Sequence, residues 1–351
     1  MGGSSNEPVS ALEREESALL RVVRAVSSPA FSTDVPAAFD CYDKGRMRDA
    51  EHLRSLVGHA ILYAGYLNVT GAVVLDVGAG LGLQSCVFAL RGAAEVIAYD
   101  ISPEFNHAQR RLVSAFDPPL GVEPRVADWV TSPAPPETAD AILMQESLSH
   151  IRDTKKALAS AVEALRPGGR LLISDANNSF WPGNVVHSLR AYRRSEYGAG
   201  ATHPGARAVD RKGSYQARKD IIATAIPGLD ERALNRLGRK TKGLYGEDLL
   251  RAAAELNKTG RTTIRADFPY RNPYTGEFPE LLVSPLRLRR ELKALGLRCE
   301  FLPQPRHWRR GVRFHPVNLA KHMLAAASKF GPEWSRPFFG RAMVLRGTKP
   351  T

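Results

Sequence analysis

Apolar residues change their spacing twice along this chain, and the changes divide it. ALEREESALLRVVRAV, 11 to 26, carries them at helical spacing. After a break at SSPAFSTDVP the same period runs through RDAEHLRSLVGHAILYAG, 48 to 65. From residue 72 it gives way to short, largely apolar runs: AVVLDV (72–77), EVIAY (95–99), PRVAD (124–128), ADAILMQ (139–145) and GRLLISD (169–175). The helix-like segments LGLQSCVFALRG, SPEFNHAQRRLVSAF and RDTKKALASAVEALRPGG lie between them. Strands alternating with helices predict βαβ units and a parallel sheet covered on both faces.

From 177 to 282 the strand signal fades. NVVHSLRAYRRSEY, GSYQARKDIIATAI, ERALNRLGRK and GEDLLRAAAEL read as helices broken by Gly and Pro. The sheet then resumes, with SPLRLRRELKALG a helix, LRCEFLP (297–303) a strand, VNLAKHMLAAASKF (317–330) a helix and RAMVLRG (341–347) a strand. The expected division is a disordered tail at 1–8, an N-terminal helical segment at 9–69 and a core at 70–176. A helical cap insertion follows at 177–282, and the rest of the core sheet at 283–351.

Composition narrows the class. With 43% apolar and 24% charged residues among 351, the chain reads as a globular protein. No apolar run approaches the roughly 20 residues that span a bilayer. MGGSSNEPVS lacks the basic and apolar regions of a secretory signal, and Asn6 stands where a myristoylation motif needs Ser or Thr. Cys41, Cys86 and Cys299 form no C-x-x-C, which suits a reducing, cytoplasmic location. Charge adds an asymmetry: residues 1–180 hold 16 Lys/Arg and 22 Asp/Glu, whereas 181–351 hold 33 and 14. The second half therefore suggests an anionic partner (nucleic acid, an acidic or phosphorylated small molecule, or a membrane surface), the alternative being a basic surface that only keeps the protein soluble.

The glycines of LDVGAGLGLQS (75–85) follow a strand and open a helix, where nucleotides bind. A dinucleotide fold needs G-x-G-x-x-G to seat a pyrophosphate, but the third glycine of Gly78, Gly80 and Gly82 arrives one residue early. No G-K-[ST] supplies a P-loop. Asp76, two residues before the first glycine, suits a ligand with positive charge and no phosphate.

LDVGAGLG resembles the first motif of the class I S-adenosylmethionine-dependent methyltransferases. The later motifs follow in register: Asp100 in VIAYDIS, Asp128 in VADWV, ADAILMQESLSHI, and LRPGGRLLISD. The resemblance implies a Rossmann-like α/β fold, a seven-stranded, mostly parallel sheet of order 3-2-1-4-5-7-6. It implies S-adenosylmethionine as cofactor, held by Asp76, Gly78, Ala79, Gly80, Gly82, Asp100, Ile101, Asp128, Trp129 and Gln145. Asp100 falls where relatives bind the ribose hydroxyls, and Asp128 where they contact the adenine amino group. Several of these keep a second reading: Gly78 and Gly80 as a tight turn only, Asp100 as the N-cap of the next helix, and Trp129 as a core residue.

Methyl transfer to a hydroxyl is helped by a general base within reach of the proton. After the fourth strand come Glu146 and His150, the catalytic candidates; histidine is the side chain most often used as a general base. A cofactor-contact or packing role for His150 stays open. Glu146, Asp175, Asn177 and Asn178 loosely imitate an Mg²⁺ set, but the spacing departs from an Asp-Asn pair, so no metal is expected. RNPYTGEF (271–278) is not an amino-methylation motif, since it lies far from the fourth strand; Asn272-Pro273 reads as a turn. No cysteine ends the fourth or fifth strand, which disfavours cytosine-C5 chemistry.

Substrate contacts are expected from the insertion, at Trp181, His187 and Arg193. More are expected from PQPRHWRRGVRFH (303–315), at Arg306, His307, Trp308 and Arg310. The favoured function is methyl transfer to a small molecule, on an oxygen atom of an acidic or phosphorylated metabolite. The alternatives are an RNA methyltransferase using the basic half, and a non-catalytic S-adenosylmethionine-binding protein.

Overall fold

A computed structural model describes residues 11–29, 31, 50–176, 178–198, 213–274, 276, 280–303, 332–339 and 342–351. The chain divides into two compact units, one of residues 1–181 and 283–351, the other of Pro182–Leu282.

The first unit is built on seven strands: β1 (Val73–Val77), β2 (Glu95–Asp100), β3 (Val122–Val126), β4 (Ala139–Gln145), β5 (Leu165–Asp175), β6 (Arg298–Phe301) and β7 (Met343–Thr348). Their order is β3-β2-β1-β4-β5-β7-β6, the order that the family resemblance implies. Strands β1 to β5 run parallel, and β7 lies antiparallel between β5 and β6. VVLDV at the centre is apolar almost throughout because both faces of β1 are covered, and its last four residues are buried.

Flanking helices are α1 (Ala11–Val26), α2 (Ala50–Leu67), α3 (Leu83–Leu90), α4 (Pro103–Ser114), α5 (Thr154–Ala164) and, late in the chain, Pro285–Ala294. Local chemistry starts several of them. Ser102 accepts the Phe105 amide at 3.2 Å with Pro103 in the first turn, and Asp153 accepts the Lys156 amide at 3.0 Å. Ser102, not Asp100, is therefore the N-cap of α4. One core layer joins Leu75, Ile142, Ile173 and Leu345 to α5; Val74, Leu143, Leu172 and Val344 pack against Tyr63, Leu67 and Phe88 on the other.

Apart from β4, each strand departs from its sequence boundaries by one to four residues, and the shifts at β3 and β5 bear on the site. Strand β3 ends at Val126 rather than 128, so Asp128 lies beyond it. Pro124 is tolerated because β3 is an edge strand. Strand β5 begins at Leu165, four residues early, because Leu165 already pairs with Ala139 across an irregularity. The helix expected at 317–330 lies outside the described residues.

The second unit is helical: α6 (Pro182–Tyr197), α7 (Ser214–Ala225), α8 (Glu231–Lys240) and α9 (Gly246–Thr259). Ile222, Leu237, Leu249, Ala252, Ala253 and Leu256 form its core. A buried ion pair crosses it: Arg218 donates to both carboxylate oxygens of Glu196, at 3.2 and 2.5 Å, and to the Gly238 carbonyl at 3.1 Å. The predicted turn at Asn272-Pro273 is present, closed by the Tyr274 amide on Asn272 Oδ1 at 2.9 Å.

Candidate active site

Parallel strands place their C-terminal ends on one edge, and the loops that follow β1, β2 and β4 meet there. The Gly78 and Ala79 amides both donate to the Tyr99 carbonyl at 2.9 Å, which bends the chain sharply off β1. Gly78 has φ +75°, and a Cβ on it would lie 2.4 Å from the Cβ of Ser147. Glycine is thus required twice at this position, for its backbone angle and for the close approach of the loop after β4.

Asp100 ends β2 and ties the glycine loop down. Its two oxygens accept the Gly80 amide at 2.8 Å and the Ser102 amide at 2.9 Å. Burial raises its pKa, while the Ser102 and Gly80 amides pull it back. Ile101 beside it is 69% exposed, an apolar side chain held at the rim with no core role. Asp76 is buried at the end of β1 and accepts the Ser85 hydroxyl at 2.7 Å. Burial pushes its carboxyl up to about 7 against that hydrogen bond, with the Asp100 charge adding to the rise.

The stretch after β4 holds several buried polar atoms without partners among the described residues: Gln145 Oε1, Ser147 Oγ and Ser149 Oγ. Buried polar groups are normally hydrogen-bonded, so this line of orphans marks a place prepared for a polar ligand or water. Glu146 has φ +50°, a conformation that costs a non-glycine residue energy, and its Oε1 accepts the Ala176 amide at 3.0 Å. His150 is exposed at the end of a single 3-10 turn, Leu148–His150. That turn is fastened by the Ser149 amide on the buried Asp175 carboxylate at 3.1 Å.

Asp128 stands on the same edge, two residues past β3, where the Ala127 amide donates to the Asp100 carbonyl at 2.9 Å. Its side chain folds onto the Val130 amide at 2.9 Å, making a turn after β3. Trp129 packs its indole into the core, edge-on to Tyr99 at 5.2 Å, with its N–H on the Ala157 carbonyl at 3.1 Å. Of its two readings, the core one describes the side chain, because the apolar ring fills space under β2 and β4. Trp181 is half-buried at the end of the first unit. His187 and Arg193 are exposed on α6 of the second. Arg306, His307, Trp308 and Arg310 lie outside the described residues, as does Asn177. Asn178 is buried and commits its amide to the Pro337 carbonyl at 2.6 Å and its Oδ1 to the Phe180 amide at 3.0 Å.

Sequence reasoning missed Ser85, Gln109, Ser147, Ser149 and Tyr63. Gln109 donates to the Gly80 carbonyl at 2.7 Å, and the Tyr63 and Ser174 hydroxyls share a hydrogen bond of 2.8 Å across 111 residues. Burial raises the Tyr63 hydroxyl pKa, and the charge of Glu146 adds to that rise. Ser85 stood inside the glycine stretch and was legible as a polar residue facing Asp76. The others carry no local signal.

This edge offers two buried acids, a tight glycine loop, an exposed apolar side chain and unpartnered acceptors. Those suit a cationic ligand with hydroxyls and a flat apolar ring. Among the described residues no group of three or more His, Cys, Asp or Glu side chains comes together as a metal site. No helix among them is long and apolar enough to cross a membrane.

Comparison with known proteins bears on the same segment. Residues 75–173 match the family model described as a methyltransferase domain. A phosphoethanolamine N-methyltransferase of Triticum aestivum is 34% identical over 122 residues, 35% of this chain and 23% of that protein. A ubiquinone biosynthesis O-methyltransferase of Xylella fastidiosa is 35% identical over 115 residues, 32% of this chain and 44% of that one. The match thus spans less than half the length of either relative. A solved S-adenosylmethionine-dependent methyltransferase of Mesorhizobium loti is 15% identical, with a TM-score of 0.40 over 82% of this chain and 95% of that one.

Proposed function

We propose, from the premise that residues 75–173 belong to the class I S-adenosylmethionine-dependent methyltransferases, that this chain methylates a small-molecule acceptor, at an oxygen of an acidic or phosphorylated metabolite. The observation that carries the reading is Asp100. Its carboxylate stands at the end of β2, pinned to the Gly80 and Ser102 amides and flanked by exposed Ile101. A carboxylate there accepts from ribose hydroxyls and repels a phosphate, and Ile101 offers a flat ring an apolar wall.

S-adenosylmethionine supplies an activated methyl group on a sulfonium. The chain's own residues would do the rest. Asp76 contributes negative charge near the cation, Gly78 and Gly80 let the backbone approach closely, and Gln145 Oε1 accepts from an ammonium or hydroxyl. Methyl transfer is an in-line displacement, so positioning and exclusion of water dominate the protein's contribution. His150, on its turn anchored by Asp175, takes the acceptor's proton, with Glu146 beside the same opening. Acceptor contacts are assigned to Trp181, His187 and Arg193, and to the Arg306–Arg310 segment. The dense basic charge of the second half favours an anionic acceptor.

The test is transfer of label from methyl-labelled S-adenosylmethionine into a host extract by the chain and by Asp100→Ala. Label is expected in a low-mass, nuclease-resistant, anionic fraction and absent with the variant. Label confined to polymer would overturn the small-molecule assignment, and bound cofactor without any transfer would favour the non-catalytic alternative.

A further inference from the structure

Helix α8 presents an unusual face. Arg232, Arg236, Arg239 and Lys240 are all exposed and follow one another at four, three and one residues, so they form one stripe. The opposite side is used up: Leu237 is wholly buried in the unit's core, and Leu234 packs against it. Arg232, Arg236 and Arg239 make no ion pair or hydrogen bond among the described residues, whereas Arg251 pairs with Asp248 at 2.7 Å and Lys219 with Glu231 at 2.5 Å. The stripe continues past the helix end into a groove of about 760 Å³ lined by Lys240, Arg261 and Arg265, by Thr259 and Thr262, and by one carboxylate, Glu255, which accepts the Thr262 hydroxyl at 2.6 Å. Arg261 and Arg265 are likewise exposed and unpaired among the described residues. Lys240 alone is occupied, on the Gly260 carbonyl at 3.2 Å.

Helix stability does not account for this stripe. Arg239 and Lys240 suit the last turn, where the macrodipole is negative, but Arg232 sits in the first turn, where a cation is disfavoured. Like charges four apart cost a helix about 0.2–0.5 kcal/mol per pair. The backbone positions of Arg232 and Arg236 are offset by about 6 Å along the axis of α8, so both side chains leave the same face one turn apart.

We propose that this track on the helical unit, Arg232–Arg236–Arg239 and on to Arg261 and Arg265, docks the phosphate backbone of a nucleic-acid strand. Guanidinium forks match phosphate oxygens. The contact reads no sequence, because the track offers charge and hydroxyls but no base-reading set. An anionic membrane fits less well, since surface-seated basic helices insert an apolar face and the apolar face of α8 is buried. The docking surface shares no residue with the cofactor and proton-transfer groups proposed above, which belong to the first unit.

The experiment uses the full chain and a fluorescein-labelled poly-uridine strand, with anisotropy followed through a salt titration. Each phosphate contact on a single strand contributes about 0.7 to the slope of log K against log salt. Arg232→Gln/Arg236→Gln is expected to lower that slope by about 1.4 and to weaken binding at least about tenfold at physiological salt. Arg251→Gln/Arg287→Gln removes equal charge from arginines that are paired, with Asp248 at 2.7 Å and Glu291 at 2.8 Å, and is expected to leave the slope unchanged. Equal weakening by both doubles would overturn the proposal, as would no binding, or capture of phosphatidylserine vesicles but not the strand. Asp100→Ala separates the two readings: it is expected to lose the cofactor and still bind the strand. Methyl label appearing on the strand would support docking and displace the small-molecule acceptor.

Discussion

Asp100 and Gly80, twenty residues apart, are joined by a 2.8 Å hydrogen bond from the glycine amide to the carboxylate. The same side chain holds the Ser102 amide at 2.9 Å, so one residue sets both the loop after β1 and the start of α4. Asp100→Asn leaves one oxygen and forces an N–H donor against a backbone N–H. The expected cost is about 1–3 kcal/mol of stability, from one unsatisfied amide in a buried place. Cofactor affinity measured by calorimetry should fall with it. A variant of unchanged stability and affinity would remove Asp100 from the loop's support.

Gly78→Ala tests the approach of the two loops. The new Cβ meets Ser147 Cβ at 2.4 Å and holds φ +75°. Strain at positive φ costs about 1–2 kcal/mol and overpacking about 1–3. Gly78→Ala/Ser147→Gly should recover the packing part only, and chemical denaturation of the four proteins in the cycle measures it. Full recovery would mean that the backbone angle is not a constraint.

Asp76 gives stability a pH dependence with a defined sign. Its folded pKa of about 7 lies above the ordinary 3.8, so between those values the folded chain keeps a proton that the unfolded chain has lost. Stability therefore falls as pH rises through that window and levels off above about 7. Asp76→Asn should flatten this trend in the melting temperature of the ligand-free protein. A cationic ligand favours the ionised carboxylate, so cofactor affinity should rise from pH 6 to 8 in the native chain and not in the variant.

His150→Gln separates its two roles. A general base contributes about 10²–10⁴ to turnover. The variant should lose that in kcat with the affinity for cofactor held within twofold. A loss of affinity with kcat preserved would make His150 a binding or packing residue.

In the helical unit, Glu196→Gln leaves the Arg218 guanidinium buried and uncompensated, since both groups are almost wholly inaccessible. Breaking such a pair costs about 3–5 kcal/mol, whereas replacing both partners with apolar residues is often neutral. Glu196→Leu/Arg218→Met should therefore be more stable than Glu196→Gln. Limited proteolysis should place the loss within residues 182–282.

Periodicity was enough to read the alternation of strands and helices and the edge on which the glycine loop stands, whereas the order of the sheet came from the family resemblance of the motifs. Strand β4 has the boundaries its apolar run predicts, and β2 ends on Asp100. Both are consequences of local rules: an apolar run of that length between turn residues has few places to go except the interior of a sheet. Where boundaries moved, partners moved them. Leu165 joined β5 because Ala139 was across from it, and Asp128 fell outside β3 because the edge strand ended at Val126.

Tertiary structure alone decided what each polar side chain touches. Nothing near Trp129 in the sequence places its indole on the Ala157 carbonyl, and nothing near Tyr63 announces Ser174. Nor does the spacing of α8 show that Arg232, Arg236 and Arg239 make no ion pair among the described residues, although Glu231 precedes the first of them. Patterning reports which face of an element is buried, because burial scales with apolar area and repeats with the period of the backbone. Hydrogen bonds and charges depend instead on distances of a few ångströms between residues far apart in the chain, and those exist only once the layers have packed.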